Sequence, residues 1–574
     1  MTTFDWTLVV LLNASIIAFG LWLARGTRSS VDWFLAARGL PWWIVGLSMF
    51  ATAVDSGDYV AVAGGAYDQG LAYISAWWLG LSVGWCLLSY VVLVPLFKAG
   101  MFTNAEYLEY RFGPAARVIS VFIQIQSRTN VLANVAFSLF LTFSVLTQWG
   151  DQTWWLVVAI AGGAALYTAS GGLRSVAVTD TLQSVVMLFA SMALWWTVWT
   201  AIGGWSGLEE NLGEHVASGR LTAETARATT HVGGYNNPDV PPALVVLGFV
   251  VVLSSYCVIN QSQTMRLLAS RSLWDMKMAA VAAGVVTSVV MWFNVTLGLM
   301  GRAVLPELDT PDQIFPELIK TYLPTLQAGL LGLVVAGLLA GGISTYDSVG
   351  SAVASVFTRD IYARFLVKSN PDRHYLKVSR IVTFVVIGGS FAYVPFLKSG
   401  MIAFYMKLSG VAVVPLLTVY LMGTLTRVAR ESATVGLVVG IVCGLSRFCD
   451  PLFERVGLDA LPVWWSNTWW GYPWSIALTA AAMVVTSFVR GWATREEVQG
   501  LTFFSARAGE KFLPRARSED ESVGWLESSR AMLPEVPDTP FPSTGGKLCW
   551  CRQPLLWAGL LLLAVAYLNL VVFW

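Results

Sequence analysis

About fourteen apolar runs of membrane-spanning length leave this chain few folds to choose from. They fall near residues 7–24, 42–68, 72–98, 115–147, 153–169, 175–203, 240–260, 276–301, 324–357, 380–397, 401–425, 433–447, 471–490 and 554–573. Roughly 20 apolar residues carry a helix across the hydrocarbon core. In lipid every backbone N–H and C=O must be satisfied within the protein, so such runs read as helices. Composition agrees: 56% of the 574 residues are hydrophobic and 12% are charged, against about 25% charged in a soluble domain. The expected fold class is an all-α polytopic membrane protein. The net charge of +1 gives no basic footprint for nucleic acid. Only Asp5 and no positive region precedes the first run, so that helix is expected to be retained rather than cleaved as a signal peptide.

Cations in the short loops set the orientation. With the N-terminus outside, Arg25, Arg28, Arg38, Lys98, Arg111, Arg174, Arg266, Arg271, Lys277 and the group from Arg359 to Arg380 all fall inside. The opposite loops are poor in cations, and the one at 204–239 carries Glu209, Glu210, Glu214, Glu224 and Asp239. The expectation is a plasma (inner) membrane protein with both termini outside. Residues 491–553 form the one long inside loop, charged and proline-containing, expected as a partly ordered tether or regulatory insertion. His215, His231 and His374 are expected in loops, which argues against a histidine relay or metal centre. The Trp pairs, among them Trp77–Trp78 and Trp154–Trp155, read as an aromatic belt.

The stretch 331–362, LGLVVAGLLAGGISTYDSVGSAVASVFTRDIY, organises the rest. Gly341, Ser344, Thr345 and Ser348 fall at i, i+3, i+4 and i+7 on one helical face, with Asp347 beside it. Asp347 precedes the charged end at Arg359 by about twelve residues, or roughly 18 Å, near mid-membrane. A carboxylate there costs at least ~2.5–3.5 kcal/mol. A hard cation bound by hydroxyls, a carboxylate and freed carbonyls offsets that cost most simply. Hydroxyls bonding back to their own helix account for Ser344, Thr345 and Ser348 about as well, but not for Asp347.

Other charges point the same way. Asp55 and Asp58 flank Ser56 and Gly57 in the second run, which favours an interrupted helix lining a cavity. Arg128, near mid-depth in IQIQSRTNVLANV, is the obvious structural partner for Asp58. Asn260 and Gln261, in SSYCVINQSQTMR, suit either an interface or a cavity wall. Asp180 lies about two turns inside its helix and suits an interfacial acid or an ion pathway. With the first helix set aside, the next ten divide into two sets of five, one opening on Asp55–Asp58 and the other on the polar segment. Odd sets insert in opposite senses, which is the arithmetic of an inverted repeat.

These segments resemble the sodium:solute symporter family, which includes sodium/glucose and sodium/proline cotransporters. The resemblance rests on DWFLAARGLPWWIVGLSMFAT (32–52), TNAEYLEYRFG (103–113), GGLRSVAVTDTLQ (171–183), NQSQTMR (260–266) and GGISTYDSVGSAVASVFTRDIY (341–362). It implies a LeuT-type 5+5 core at 31–430, an extra helix at 1–30, two more helices at 431–490, the inside loop at 491–553 and a last helix at 554–574. It implies sodium as the coupling ion, held by the carbonyls of Ala51, Val54 and Gly341 and the hydroxyls of Ser344 and Thr345. A second sodium would sit among Ser344, Asp180, Asp347 and Ser348. Substrate positions would include Asp55, Asp58, Arg128, Asn260 and Gln261. Asp58 stands where the family's sugar transporters carry Gln or His. Two acids suit a polyol or a cationic amine, and Arg128 suits a carboxylate.

The resulting expectation is no enzyme but a sodium-coupled symporter that imports a small organic solute by alternating access: a sugar, polyol, amino acid, amine or carboxylate. Proton coupling through Asp347, Asp180 or Asp55 is the rival within transport. A solute sensor that moves nothing is the rival from another class.

Overall fold

The structure is a computed structural model describing residues 2–25, 29–235, 237–323, 329–397, 400–450, 461–512, 524–541 and 549–574. Arg28 and the stretches 513–523 and 542–548 of the long loop lie outside these. Among the described residues every regular element is helical. The membrane segments are α1 (Thr3–Ala24), α2 (Trp42–Ala53), α3 (Ser56–Gln69), α4 (Ala76–Lys98), α5 (Pro114–Thr147), α6 (Thr153–Ser170), α7 (Leu173–Ile202) and α8 (Pro242–Ile259). They continue as α9 (Gln261–Leu268), α10 (Leu273–Val304), α11 (Leu330–Leu366), α12 (Asp372–Leu397), α13 (Met401–Leu425), α14 (Ser432–Phe448), α15 (Thr468–Arg490) and α16 (Pro554–Val572).

Eleven helices among the described residues are long and apolar enough to cross a bilayer. The other three expected runs are an interrupted pair (α2–α3), the 18-residue α6 and the 17-residue α14. The loop expected at 204–239 carries two helices of its own, Gly204–Ala217 and Ala223–Thr230. His215 sits on the first, buried, with Nε2 2.8 Å from the Ala303 carbonyl oxygen.

Two breaks give the architecture its shape. α2 stops because Val54 and Asp55 are extended (φ −118°, ψ 110° and φ −123°, ψ −178°) and Asp55 starts α3 as its N-cap. α8 stops at Ile259, and Asn260 (φ −75°, ψ 105°) caps α9 by accepting from Ser262 N at 3.0 Å. A short polar side chain offers a backbone N–H an alternative to the helical ladder, so such residues end and start helices. Counting each broken pair as one, α2–α7 and α8–α13 are five and five, each set opening on a break.

The cores pack closely. α7 lies along α11, and α10 lies along both α2 and α3. A Cβ on Gly298 of α10 would stand 2.2 Å from the Ala63 carbonyl oxygen of α3, so only glycine allows that approach.

The long loop is docked rather than loose where it is described. Trp525 stacks on Tyr375 at 4.1 Å and donates from Nε1 to Asp372 at 2.6 Å. Arg359 lies 3.7 Å over the Phe102 ring and donates to Ser529. Arg530 pairs with Glu106 on the amphipathic helix Asn104–Phe112. The carbonyls of Pro537 and Asp538 accept from Leu273 N and Trp274 N, two of the N–H groups that a helix start leaves open.

Candidate functional site

The break in α2–α3 builds the site. Asp55 N would otherwise reach back along α2, but Asp58 Oδ2 takes it at 3.1 Å, while Asp55 Oδ1 accepts from Asp58 N at 3.0 Å. This reciprocal capping box leaves the last carbonyls of α2 without helical partners. Ser344 Oγ of α11 answers one of them, lying 2.5 Å from Ala51 O and 3.1 Å from Gly341 O. Gly341 brings α11 against the break: a Cβ there would meet the Asp55 backbone at 3.4 Å. Thr345 Oγ1 is fully buried, near the Asp55 carboxylate yet outside hydrogen-bonding geometry with any partner. Ala51, Gly341, Ser344 and Thr345 therefore converge, and Val54 lies at the end of the same frayed turn. The group is chemically suited to a small hard cation, since it offers neutral oxygens and one unused hydroxyl.

One turn further along α11 lies a second polar cluster. Here Arg266, on α9, is fully buried and not in an inside loop as its sequence position suggested. Its Nη2 donates to Asp180 Oδ2 at 2.8 Å and also to Ser348 Oγ. Its Nε donates to Ser48 Oγ at 2.7 Å, and Ser48 in turn donates to Asp180 Oδ2 at 2.6 Å. Thr52 Oγ1 is 3.0 Å from Ser348 Oγ. Asp180 and Ser348, expected around a second sodium, are thus bridged by a guanidinium. Asp347 is buried beside them near Tyr167 and Thr168, with Oδ1 unpartnered. Two carboxylates share one cation, so with both ionised the cluster carries one net negative charge.

On the other side of the break, Asp55, Asp58 and Asn134 reach the wall of a cavity in which the centre of a water molecule has about 80 Å³ to move. Aromatic rings of Tyr73, Trp77, Phe249, Tyr256 and Tyr405 make much of the remaining wall. Trp77, read from the sequence as belt, is 5% exposed and its Nε1 has no hydrogen-bond partner. Trp155, at 78% exposed, keeps the belt reading. Arg128 makes a salt bridge with neither Asp55 nor Asp58. It stacks on the Tyr256 ring at 4.5 Å and donates to Ser127 Oγ at 3.1 Å, while Nε and Nη1 remain unpartnered. Asn260 spends its Oδ1 on the cap, while its Nδ2 is buried without a partner. Gln261 accepts from Asn104 N at 3.0 Å and donates to Phe102 O at 2.9 Å, which ties it to the Asn104–Phe112 region. Neither residue lines the cavity.

Similar proteins share this plan. The model of the sodium:solute symporter family matches residues 33–440. Sodium/glucose cotransporter 1 of Mus musculus is 27% identical over 490 residues, covering 77% of this chain and 71% of that protein. Sodium/glucose cotransporter 2 of Rattus norvegicus is 27% identical over 496 residues, covering 78% and 72%. Among solved structures, a substrate-bound, outward-open sodium-coupled sialic acid symporter superposes with a TM-score of 0.71 at 20% identity. That match covers 86% of this chain and 99% of that one. A nucleobase-cation-symport-1 family transporter in a closed conformation gives 0.52 at 13% identity, covering 81% and 97%. At these identities the solved structures speak to fold, which is the LeuT-type arrangement.

Proposed function

The chain belongs to the sodium:solute symporter family, and from that premise we propose that it imports a small organic solute with one sodium ion per cycle, by alternating access across the plasma membrane. The sodium ligands in this reading are the carbonyls of Ala51, Val54 and Gly341 with the hydroxyls of Ser344 and Thr345. The observation that carries it is Thr345 Oγ1: a fully buried hydroxyl without a partner, beside a serine hydroxyl that already links two carbonyls. A buried polar group normally has a partner, and a bound cation supplies one.

We read the stoichiometry as one because Arg266 already stands between Asp180 and Ser348. A second sodium among Asp180, Asp347 and Ser348 would have to displace a guanidinium. The uncompensated charge of that cluster, one turn along α11, adds to the attraction for the ion at Ser344 and Thr345. Asp55 and Asp58 form the solute side of the same break, so ion and solute act on one structural element. Coupling between them is then reciprocal. The core in this reading is 31–430, with 1–30, 431–490 and 554–574 as added helices. The distribution of Lys and Arg supports termini outside.

The test is the melting temperature of the purified chain in sodium against potassium or choline salts. A rise specific to sodium supports the reading, because a ligand that binds only the folded form stabilises it by mass action. Identical melting in all three salts refutes it.

A further inference from the structure

The wall of the cavity is charged on one side of the scale only: Asp55 and Asp58 line it, and among the described residues no Lys, Arg or His does. Asp55 and Asp58 each keep an oxygen that the capping box does not use. Asn134 turns its Nδ2 toward Asn130, 3.0 Å from the carbonyl oxygen, which leaves its own Oδ1 as an acceptor. The wall's donors are the hydroxyls of Tyr73, Tyr256 and Tyr405 and, as the one N–H that cannot also accept, Trp77 Nε1, buried, on the cavity wall and without a partner. Arg128 does not line the space; the Tyr256 ring it stacks on does.

Charge points the same way. Around the break and the neighbouring cluster, four carboxylates (Asp55, Asp58, Asp180, Asp347) face two guanidinium groups (Arg128, Arg266), all buried or lining the cavity. With all four ionised, two negative charges stay uncompensated. One sodium answers one of them, and the other lies on the solute side. Aromatic faces on several sides add a preference for a cation. A neutral sugar would leave both carboxylates of the wall without a counter-charge on the cavity side. A carboxylate would meet two carboxylates and find Arg128 behind a ring.

We infer that the solute of this cavity is a protonated organic amine that also carries one neutral hydrogen-bond acceptor. Its ammonium lies against Asp55 and Asp58, and its acceptor takes the Trp77 Nε1 proton. The inference rests on the symporter reading above.

The experiment is thermal stabilisation of the full purified chain in sodium or potassium chloride. The probes are ethanolamine, ethylamine, tyramine and choline, set against ethylene glycol, tyrosol, glucose and succinate. The expected result is that the largest rise in sodium comes from an amine, with at least tenfold weaker apparent affinity in Asp58→Asn. Because Asp58 also caps α3, Trp77→Phe serves as the second variant. It keeps the ring and loses the N–H, and should weaken ethanolamine relative to ethylamine. A largest rise from a neutral probe or succinate, or no rise from any amine, overturns the inference. An unchanged ethanolamine-to-ethylamine ratio in Trp77→Phe overturns the acceptor half of it. An amine response equal in potassium and sodium would uphold the amine and refute the sodium coupling instead.

Discussion

Replacing Thr345 by valine keeps the shape of the side chain and removes only its hydroxyl. In the ion-free protein that hydroxyl is buried without a partner in hydrogen-bonding geometry, so its loss removes no formed hydrogen bond. A buried unsatisfied polar group costs about 1–3 kcal/mol, and the variant should therefore melt at or above the wild-type temperature in choline salt. With sodium bound the sign reverses. A hydrogen-bond-type contact to a charged group is worth about 1.5–3 kcal/mol, or roughly ten- to 150-fold in dissociation constant. At a sodium concentration ~100 times the wild-type constant, sodium stabilises the wild type by ~2.7 kcal/mol. A variant binding ~100-fold more weakly keeps only ~0.4 kcal/mol. Ser344→Ala should behave differently, because its hydroxyl already holds the Ala51 carbonyl at 2.5 Å. It should lower melting in choline as well as in sodium. Differential scanning fluorimetry across a sodium titration reads both effects. Thr345→Val that melts lower than wild type in choline, or responds to sodium as wild type does, refutes the assignment.

Three further outcomes follow from other parts of the molecule. Arg266→Met strands the buried Asp180 carboxylate and should cost about 3–5 kcal/mol in denaturant unfolding, while adding Asp180→Asn should recover most of it. Gly298→Ala drives a Cβ to within 2.2 Å of the Ala63 carbonyl oxygen. It should cost ~1–3 kcal/mol and lower the yield of folded protein, since the atoms it meets are the Ala63 carbonyl and the Ala66 Cβ, neither of which can turn aside. Glu106 lies outside the membrane spans. Burial pushes its carboxyl up, but Arg530, Arg359, Arg117 and the Phe102 N–H outweigh this and hold it at about 2, against 4.5 unperturbed. A lowered carboxyl stabilises the fold above the unfolded value and loses that contribution as pH falls toward the folded one. Melting should therefore drop from about pH 4.5 down to about pH 2, and Glu106→Gln should flatten that slope.

The break at Asp55 was legible in the sequence because a charge inside an apolar run has few lipid-compatible uses, whereas at Asn260 only a polar segment was legible and the break was not. The hydroxyl face of 331–362 was legible by its helical spacing, and the structure brings it to the Asp55 break. Arg266 was not legible. It follows the polar segment closely and precedes Arg271, so it counts as a loop cation until the Asn260 break turns α9 inward and buries it. Trp77 looked like any interfacial tryptophan; its place in the cavity depends on how α4 packs against α8, which local sequence does not encode. The docking of Trp525 and Arg530 joins residues more than a hundred positions apart, and nothing in a charged, proline-containing stretch announces it.

Equilibrium binding of radiolabelled sodium to the purified chain, compared with the Ser344→Ala/Thr345→Val double variant, tests the central claim most directly. The expected result is saturable binding to the wild type with a Hill coefficient near one, no competition from potassium, and loss of that binding in the double variant. Undiminished binding in the double variant would contradict it.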